Sequence, residues 1–133
     1  MIAKAEARYV RISPSKVWQT LDLVRGKSAL KAIEILNLVT KKASPLVSKV
    51  IKSAMANAKN KGFSEKELFI SKIAANTGPF LKRFRAASFG RAAMIRKRTS
   101  HLIVELDSNE KIIDTTAKIK TNAVKKLKTE KKK

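Results

Sequence analysis

The sequence has no cysteine, a single histidine and few acidic residues. Without cysteine, disulfide bonds and thiolate metal sites are excluded, and one histidine cannot form a metal cluster by itself. No apolar run approaches the roughly 20 residues that span a bilayer. The N-terminus lacks the apolar segment of a signal peptide. We therefore expect a cytoplasmic protein with no cofactor, no metal and no membrane partner.

Motifs that carry catalysis are also missing. The sequence has no Gly-rich phosphate loop, paired carboxylate site or nucleophile motif. His101 is a candidate general base, but the only acid near it on the same face of an extended strand is Glu105. We interpret His101 as a packing or RNA-contacting histidine and predict that the protein is not an enzyme.

Positive charge is what the sequence has in excess. Its 133 residues include 31 Lys and Arg against 10 Asp and Glu, a net charge of +21. Such an excess indicates a polyanionic partner, most often nucleic acid and otherwise an anionic membrane surface. The length suits one domain, which we assign to residues 1–108. We expect residues 109–133 to be a disordered basic tail, because residues 118–133 hold eight lysines and one glutamate.

Local patterns predict one strand and three helices in the first half of the chain. Alternation over residues 2–12 predicts a strand. Ser13-Pro14 and Ser44-Pro45 each predict a helix start, with serine as the N-cap and proline at the first helical position. Gly26 and Gly62 are the expected ends of these helices. The second helix should open at Ser28.

The helices carry predicted core residues. We expect Trp18 to be buried rather than to stack on a base, and the Lys41-Lys42 pair to lie near the end of the second helix, where it suits the helix dipole. The predicted apolar face of the second helix is Leu30, Ile33, Leu36 and Leu38. The predicted stripe of the third is Leu46, Val47, Val50, Ile51, Ala54, Met55 and Ala58.

Residues 79–98, here called the arm, lie between two alternating segments, 68–75 and 102–106, which should pair as antiparallel strands. No carboxylate occurs between Glu67 and Glu105. A folded surface usually mixes its charges, so the balancing anion should come from outside the chain. The arm contains seven basic residues: Lys82, Arg83, Arg85, Arg91, Arg96, Lys97 and Arg98.

The arm has the pattern of a long, thin hairpin. Basic residues two apart share a face in an extended chain, and Gly90 permits a positive φ at a turn. We predict a tip near Ser88 to Gly90. A two-stranded ribbon is marginal in water, so the alternative for the isolated protein is a disordered loop that only a partner orders.

The arm favours RNA over DNA, because helical DNA readers present a helix to the major groove and this charge lies on extended chain. Its aromatic residues Phe80, Phe84 and Phe89 either stack on RNA bases or pack across the ribbon. A DNA architectural protein is the main rival, with Phe89 as its wedge. A nuclease and a membrane-surface protein are weaker alternatives.

The run ARYVRISPSKVWQTLDLVRGKSALKAIEIL, followed by NTGPFLKRFRAASFGRAAMIRKRTSHLIVEL, resembles bacterial large-subunit ribosomal protein family twenty-two. The resemblance covers about residues 3–107. Ala87 departs from it, since the family usually has Arg or His there, and Arg85 is a possible substitute. The positions that match the family signature are Lys82, Gly90, Arg91, His101, Leu102, Val104 and Leu106.

The resemblance implies an α+β fold, with three helices packed on a small three-stranded antiparallel sheet and a long basic β-hairpin arm. It also implies a structural protein of the large ribosomal subunit that bridges ribosomal RNA domains during assembly. The arm tip would form part of the nascent-peptide exit tunnel, near the macrolide region and beside the family-four ribosomal protein. The implied RNA-binding residues are Lys82, Arg83, Arg85, Arg91, Arg96, Lys97, Arg98 and His101. The implied tunnel-facing residues are Ala86, Ala87, Ser88, Phe89 and Gly90.

Overall fold

The structure is a computed structural model that describes residues 1–108. The predicted basic tail, 109–133, lies outside these residues. The strands are β1 Ala3–Val10, β2 Leu68–Thr77, β3 Leu81–Ala86, β4 Ala92–Lys97 and β5 Ser100–Ser108. The helices are α1 Pro14–Leu21, α2 Ala29–Leu38 and α3 Ser44–Asn60, and a short 3-10 turn spans Glu65–Glu67.

Three strands form one antiparallel sheet in the order β1-β5-β2. β5 is central, and its Leu106 lies opposite Ala3 of β1 and Ile70 of β2. The strands that flank the arm therefore pair as predicted. Alternate residues of β5 point to opposite faces, and Leu102 and Val104 join Leu106 on the buried face.

The helices cover one face of this sheet and close the core. α3 packs on β1 and β5, α2 packs on α3, and α1 packs on β2. The predicted stripe of α3 is buried except at Leu46, which is half-buried. The predicted α+β fold of three helices on a three-stranded antiparallel sheet is confirmed. Residues 1–78 and 99–108 are called the body below.

Two predictions about helix starts and ends were wrong in detail. α1 ends at Leu21, and Gly26, with a φ of +72°, ends the turns that follow rather than the helix. In α3 the N-cap is Ala43, so Ser44 lies inside the first turn with its hydroxyl buried. Pro45 occupies the first turn in either case, because a proline there forgoes no intrahelical hydrogen bond.

The prediction that Trp18 is core was also wrong. Its side chain is 49% exposed, and its indole N–H donates a hydrogen bond to the carbonyl of Ala75, 2.8 Å away. β2 is an edge strand, and an edge presents unpaired carbonyl groups that a polar ring atom can reach. Trp18 thus joins α1 to the edge of the sheet.

Two of the four residues predicted for the apolar face of α2 lie outside the core. Leu38 is 83% exposed and Leu30 is 40% exposed, whereas Ala29 and Ala32 are fully buried with Leu36. The helix therefore turns these small residues toward the core. Sequence hydrophobicity favoured the leucines, whereas the burial of each position depends on how the helix is oriented against the core.

Candidate nucleic-acid interface

β3 and β4 form a separate two-stranded antiparallel sheet, paired in register from Leu81 opposite Lys97 to Ala86 opposite Ala92. Every residue from 82 to 98 is exposed. The arm therefore has no core of its own, and its two strands are held to each other by the backbone ladder and by cross-strand contacts.

The arm carries cations on both faces. Directly paired residues share a face, so Arg83 and Lys97 lie on one face and Lys82 and Arg96 on the other. Lys82 is directly opposite Arg96, and like charges in that position destabilise a strand pair. Within the described residues, none of the arm's seven cations forms an ion pair. An external anion would relieve this repulsion.

The arm turns at residues 87–91. The amide of Ala87 donates a hydrogen bond to the carbonyl of Arg91 at 2.8 Å, and Ser88 to Gly90 form a single 3-10 turn between them. Phe89 and Gly90 both have a positive φ, +57° and +67°. The predicted tip is confirmed, but Phe89 was not expected in the left-handed region, which is costly for a side chain of its size.

The three arm phenylalanines have different surroundings. The guanidinium of Arg96 lies over the ring of Phe80, 5.6 Å from its centre, a cation–π contact. Phe84 lies directly opposite Met94, which favours packing across the ribbon for this residue. Phe89 is 95% exposed at the tip and is the ring best placed for an external partner.

His101 sits where the arm joins the body. Its Nδ1 accepts a hydrogen bond from the amide of Tyr9 at 3.1 Å, and the two rings meet edge to face at 4.8 Å. Tyr9 has a φ of +56° at an irregularity of β1. His101 therefore has a structural role in fixing the end of β1, and its contact with RNA stays a prediction.

Gly78 completes this joint. Its amide donates a hydrogen bond to the carbonyl of Thr99 at 3.0 Å, and the Thr99 hydroxyl donates one to Pro79. A Cβ at Gly78 would lie 2.6 Å from Thr99 Oγ1 and 3.0 Å from His101 Nε2. A side chain at position 78 would therefore force the side chains of Thr99 and His101 to move.

A cleft of about 960 Å³, here called the root cleft, lies between the body and the start of the arm. The body contributes residues from 11–19 and 41–43, and both arm strands contribute the opposite wall. The cations of the body in this cleft are Arg11, Lys16, Lys41 and Lys42. Those of the arm are Arg83, Arg96, Lys97 and Arg98.

Sequence reasoning missed the four body cations. Lys41 and Lys42 were assigned to the end of a helix, but α2 ends at Leu38 and the pair lies in the loop before α3. Their position beside Arg11 and Lys16 arises from chain topology, so no local pattern predicts it. The Lys41-Lys42 pair was the sequence feature that could have indicated a basic site in this loop.

The described residues contain no group of three or more His, Cys, Asp or Glu side chains that is arranged to hold a metal ion. Among the same residues, no helix is both long and apolar enough to cross a membrane. The clearest feature of the described surface is therefore its unpaired positive charge, on the arm and in the root cleft.

Comparison with known proteins agrees with this geometry. The model of the ribosomal protein L22p/L17e family matches residues 5–107. The large ribosomal subunit protein uL22 of Syntrophus aciditrophicus (strain SB) is 51% identical over 108 residues, which cover 80% of this chain and 98% of that protein. The protein of the same name from Staphylococcus aureus (strain JH9) is 52% identical over 112 residues, covering 83% and 96%. The chain belongs to the ribosomal protein L22p/L17e family, which confirms the resemblance found in the sequence.

Proposed function

We propose that this protein is a structural, non-catalytic constituent of the large ribosomal subunit in the cytoplasm. Its arm binds large-subunit ribosomal RNA and bridges RNA domains during assembly. The tip of the arm forms part of the wall of the nascent-peptide exit tunnel, beside the family-four ribosomal protein. The relatives named above carry large ribosomal subunit in their names, and family membership supports the same role here.

The observation that carries this proposal is the exposed arm with uncompensated charge. Lys82 and Arg96 repel each other across the ribbon, and no described carboxylate pairs with them. A phosphate backbone supplies negative charge at close, regular spacing and would turn this repulsion into attraction. The extended arm suits a crevice between folded RNA segments better than a DNA groove.

The test is binding to a large-subunit RNA fragment as a function of salt. In the variant, all seven arm cations are replaced by Gln. If each contacts a phosphate, the slope of log K against log salt should become shallower by about 5 to 6. The matched control interchanges Arg and Lys at the same seven positions, which preserves charge and should keep most of the slope.

A change in slope near 1 for the Gln variant would contradict phosphate contact along the arm. Co-sedimentation gives the cellular check: the protein should sediment with large subunits, and the Gln variant should be depleted from them. Sedimentation with chromosomal DNA would instead favour a DNA architectural protein.

Exposure of Phe89 at the arm tip is the one observation that favours a DNA architectural protein, since such proteins insert an apolar wedge between base pairs. In that case Phe89→Ala would abolish DNA bending. An RNA-binding arm predicts no bending by either form of the protein.

The tunnel role of the tip rests on its small side chains. Ala86, Ala87 and Ala92 are exposed around the turn, and a wall of small residues would not trap a passing peptide. Ala87→Trp should therefore alter translational stalling or macrolide sensitivity. Ala56→Trp, at an exposed position on α3, is the control and should change neither. Unchanged behaviour of both variants would count against a tunnel-facing Ala87.

A further inference from the structure

The root cleft brings together cations from three parts of the chain that are far apart in sequence. We infer that it is a second RNA-binding site, which grips the phosphate backbone of an RNA segment between the body and the arm and so sets the direction of the arm. This inference rests on the proposed function, and it goes beyond it by assigning backbone contacts to Arg11, Lys16, Lys41 and Lys42.

The charge of the cleft is uncompensated. Eight basic side chains line it and no carboxylate does, and within the described residues none of the eight forms an ion pair. Lys41 is held by a hydrogen bond from its Nζ to Gln19 Oε1 at 2.9 Å, and Arg83 by one to the carbonyl of Lys82 at 2.7 Å. Both partners are neutral, so no charge within the described residues offsets the repulsion among the eight cations, and an external anion would relieve it.

The chemistry of the walls favours RNA backbone over bases. The lining includes no aromatic ring on which a base could stack, and its apolar members are Ile12, Ala43 and Leu81. Phosphate and sugar contacts position a protein without reading sequence. The volume of about 960 Å³ lies at the upper end of the roughly 300–1,000 Å³ of sites that enclose organic ligands, which suits a chain segment better than one inorganic anion.

The cleft also bears on the geometry of the arm. One wall belongs to the body and the other to the two strands of the arm, which form a sheet separate from that of the body. An anion that binds both walls stabilises one arm orientation over others, because only that orientation offers all the contacts at once. RNA bound in the cleft would thus fix the direction in which the tip of the arm points.

The test compares full-length variants in binding to a large-subunit RNA fragment. The cleft variant carries Arg11→Gln, Lys16→Gln, Lys41→Gln and Lys42→Gln, so the arm is untouched. The charge-matched control carries Lys31→Gln, Lys49→Gln, Lys52→Gln and Lys66→Gln, which are exposed and lie outside the cleft. A charge-preserving variant with Arg11→Lys, Lys16→Arg, Lys41→Arg and Lys42→Arg checks that charge, not packing, is responsible.

Loss of four phosphate contacts should make the salt slope shallower by about 3 in the cleft variant. The control should change it by less than 1, and the charge-preserving variant should retain it. Equal changes in the cleft variant and the control would overturn the inference in favour of net charge alone. If the cleft variant binds RNA normally but no longer binds a poly-glutamate peptide, the occupant is an acidic protein segment and the RNA assignment is wrong.

Failure of the inference is separable from failure of the proposed function. A normal slope in the cleft variant, together with a shallow slope when the arm cations are neutralised, would reject the root cleft and leave the arm as the RNA site. Absence of RNA binding by the unmodified chain would reject both.

Arm orientation has its own measurement, because the absence of cysteine permits a clean pair of spin labels. Labels at Ser53→Cys on α3 and Ser88→Cys at the tip report the distance from body to tip. Saturating RNA should narrow the distance distribution when the cleft is native and leave it broad in the cleft variant. Equal narrowing of the distance distribution in the native protein and the cleft variant would show that the cleft does not set the direction of the arm.

Discussion

The body and the arm differ in how far their side chains are buried. The body buries its large apolar side chains, with Leu21, Ile51 and Leu106 fully shielded from solvent, whereas all residues from 82 to 98 are exposed. Burial of apolar surface is the main favourable term in folding, so the body stabilises itself. The arm gains little from burial and is held together by its backbone ladder and by cross-strand contacts.

The two regions also differ in how their charges are paired. The carboxylates of the described residues all lie in the body, and four ion pairs form there, including Arg8 with Glu6 and Lys59 with Glu65. The arm has seven cations and no acid. The difference teaches that burial and ion pairing are confined to the body, while the cations of the arm have no acidic partner among the described residues.

The largest expected effect comes from shortening a buried leucine of the body, compared with a half-exposed leucine of the arm. Leu106→Ala, at a fully buried position, should lower the free energy of unfolding by about 2–5 kcal/mol. Leu81→Ala, at the half-exposed start of β3, should lower it by less than about 1 kcal/mol. Urea denaturation measures both, and equal losses would mean that the arm shares the core of the body.

The joint between the two regions should give the next largest effect. The methyl group of Gly78→Ala would overlap Thr99 Oγ1 at 2.6 Å, and forced repacking of this kind costs about 1–3 kcal/mol. Denaturation measures the loss. Thr99→Ala removes the nearest obstacle, so Gly78→Ala should lower the free energy of unfolding less in a Thr99→Ala background than in the native protein. An equal loss in both backgrounds would show that the strain arises elsewhere in the joint.

Features with a local cause could be predicted from sequence, and this comparison shows why. The alternation of Leu102, Val104 and Leu106 has the period of a strand with one buried face, and the stripe of α3 has the period of a helix. The arm was evident because seven cations without an acid is a property of one contiguous segment. Each of these patterns lies within one short segment of the sequence.

Features that depend on topology could not be predicted. The exposure of Trp18 follows from its position at the edge of β2, and the left-handed conformation of Tyr9 follows from the irregular pairing of β1 with β5. The root cleft joins residues 11–19, 41–43 and 81–98. No window of sequence contains these relations, so only the folded chain reveals them.

A smaller effect should separate stability from binding within the arm. Lys82→Glu places a carboxylate directly opposite Arg96, and exchanging like charges for opposite ones across a strand pair should stabilise the ribbon by about 0.2–1 kcal/mol. Arg85→Glu is the control, because its partner is Ala93. Both should weaken RNA binding, but only Lys82→Glu should slow amide hydrogen exchange in β3 and β4. Equal exchange rates in the two variants would show that cross-strand repulsion is negligible.

The smallest effect is expected at an exposed ion pair of the body, between Arg8 and Glu6. Glu6 accepts a hydrogen bond from Arg8 Nε at 3.0 Å, and this bond lowers the pKa of Glu6 from its ordinary value. A carboxyl whose pKa is depressed on folding adds stability above its unfolded pKa and loses it as pH falls through the folded pKa. The contribution should therefore be present at neutral pH and be lost as the pH falls below the ordinary pKa of a glutamate and through the lower pKa of folded Glu6. An NMR titration of the Glu6 carboxyl should show its pKa rising in Arg8→Gln, with arm amides unchanged. An unchanged pKa would remove Arg8 as the cause, and shifted arm amides would show that this ion pair also affects the arm.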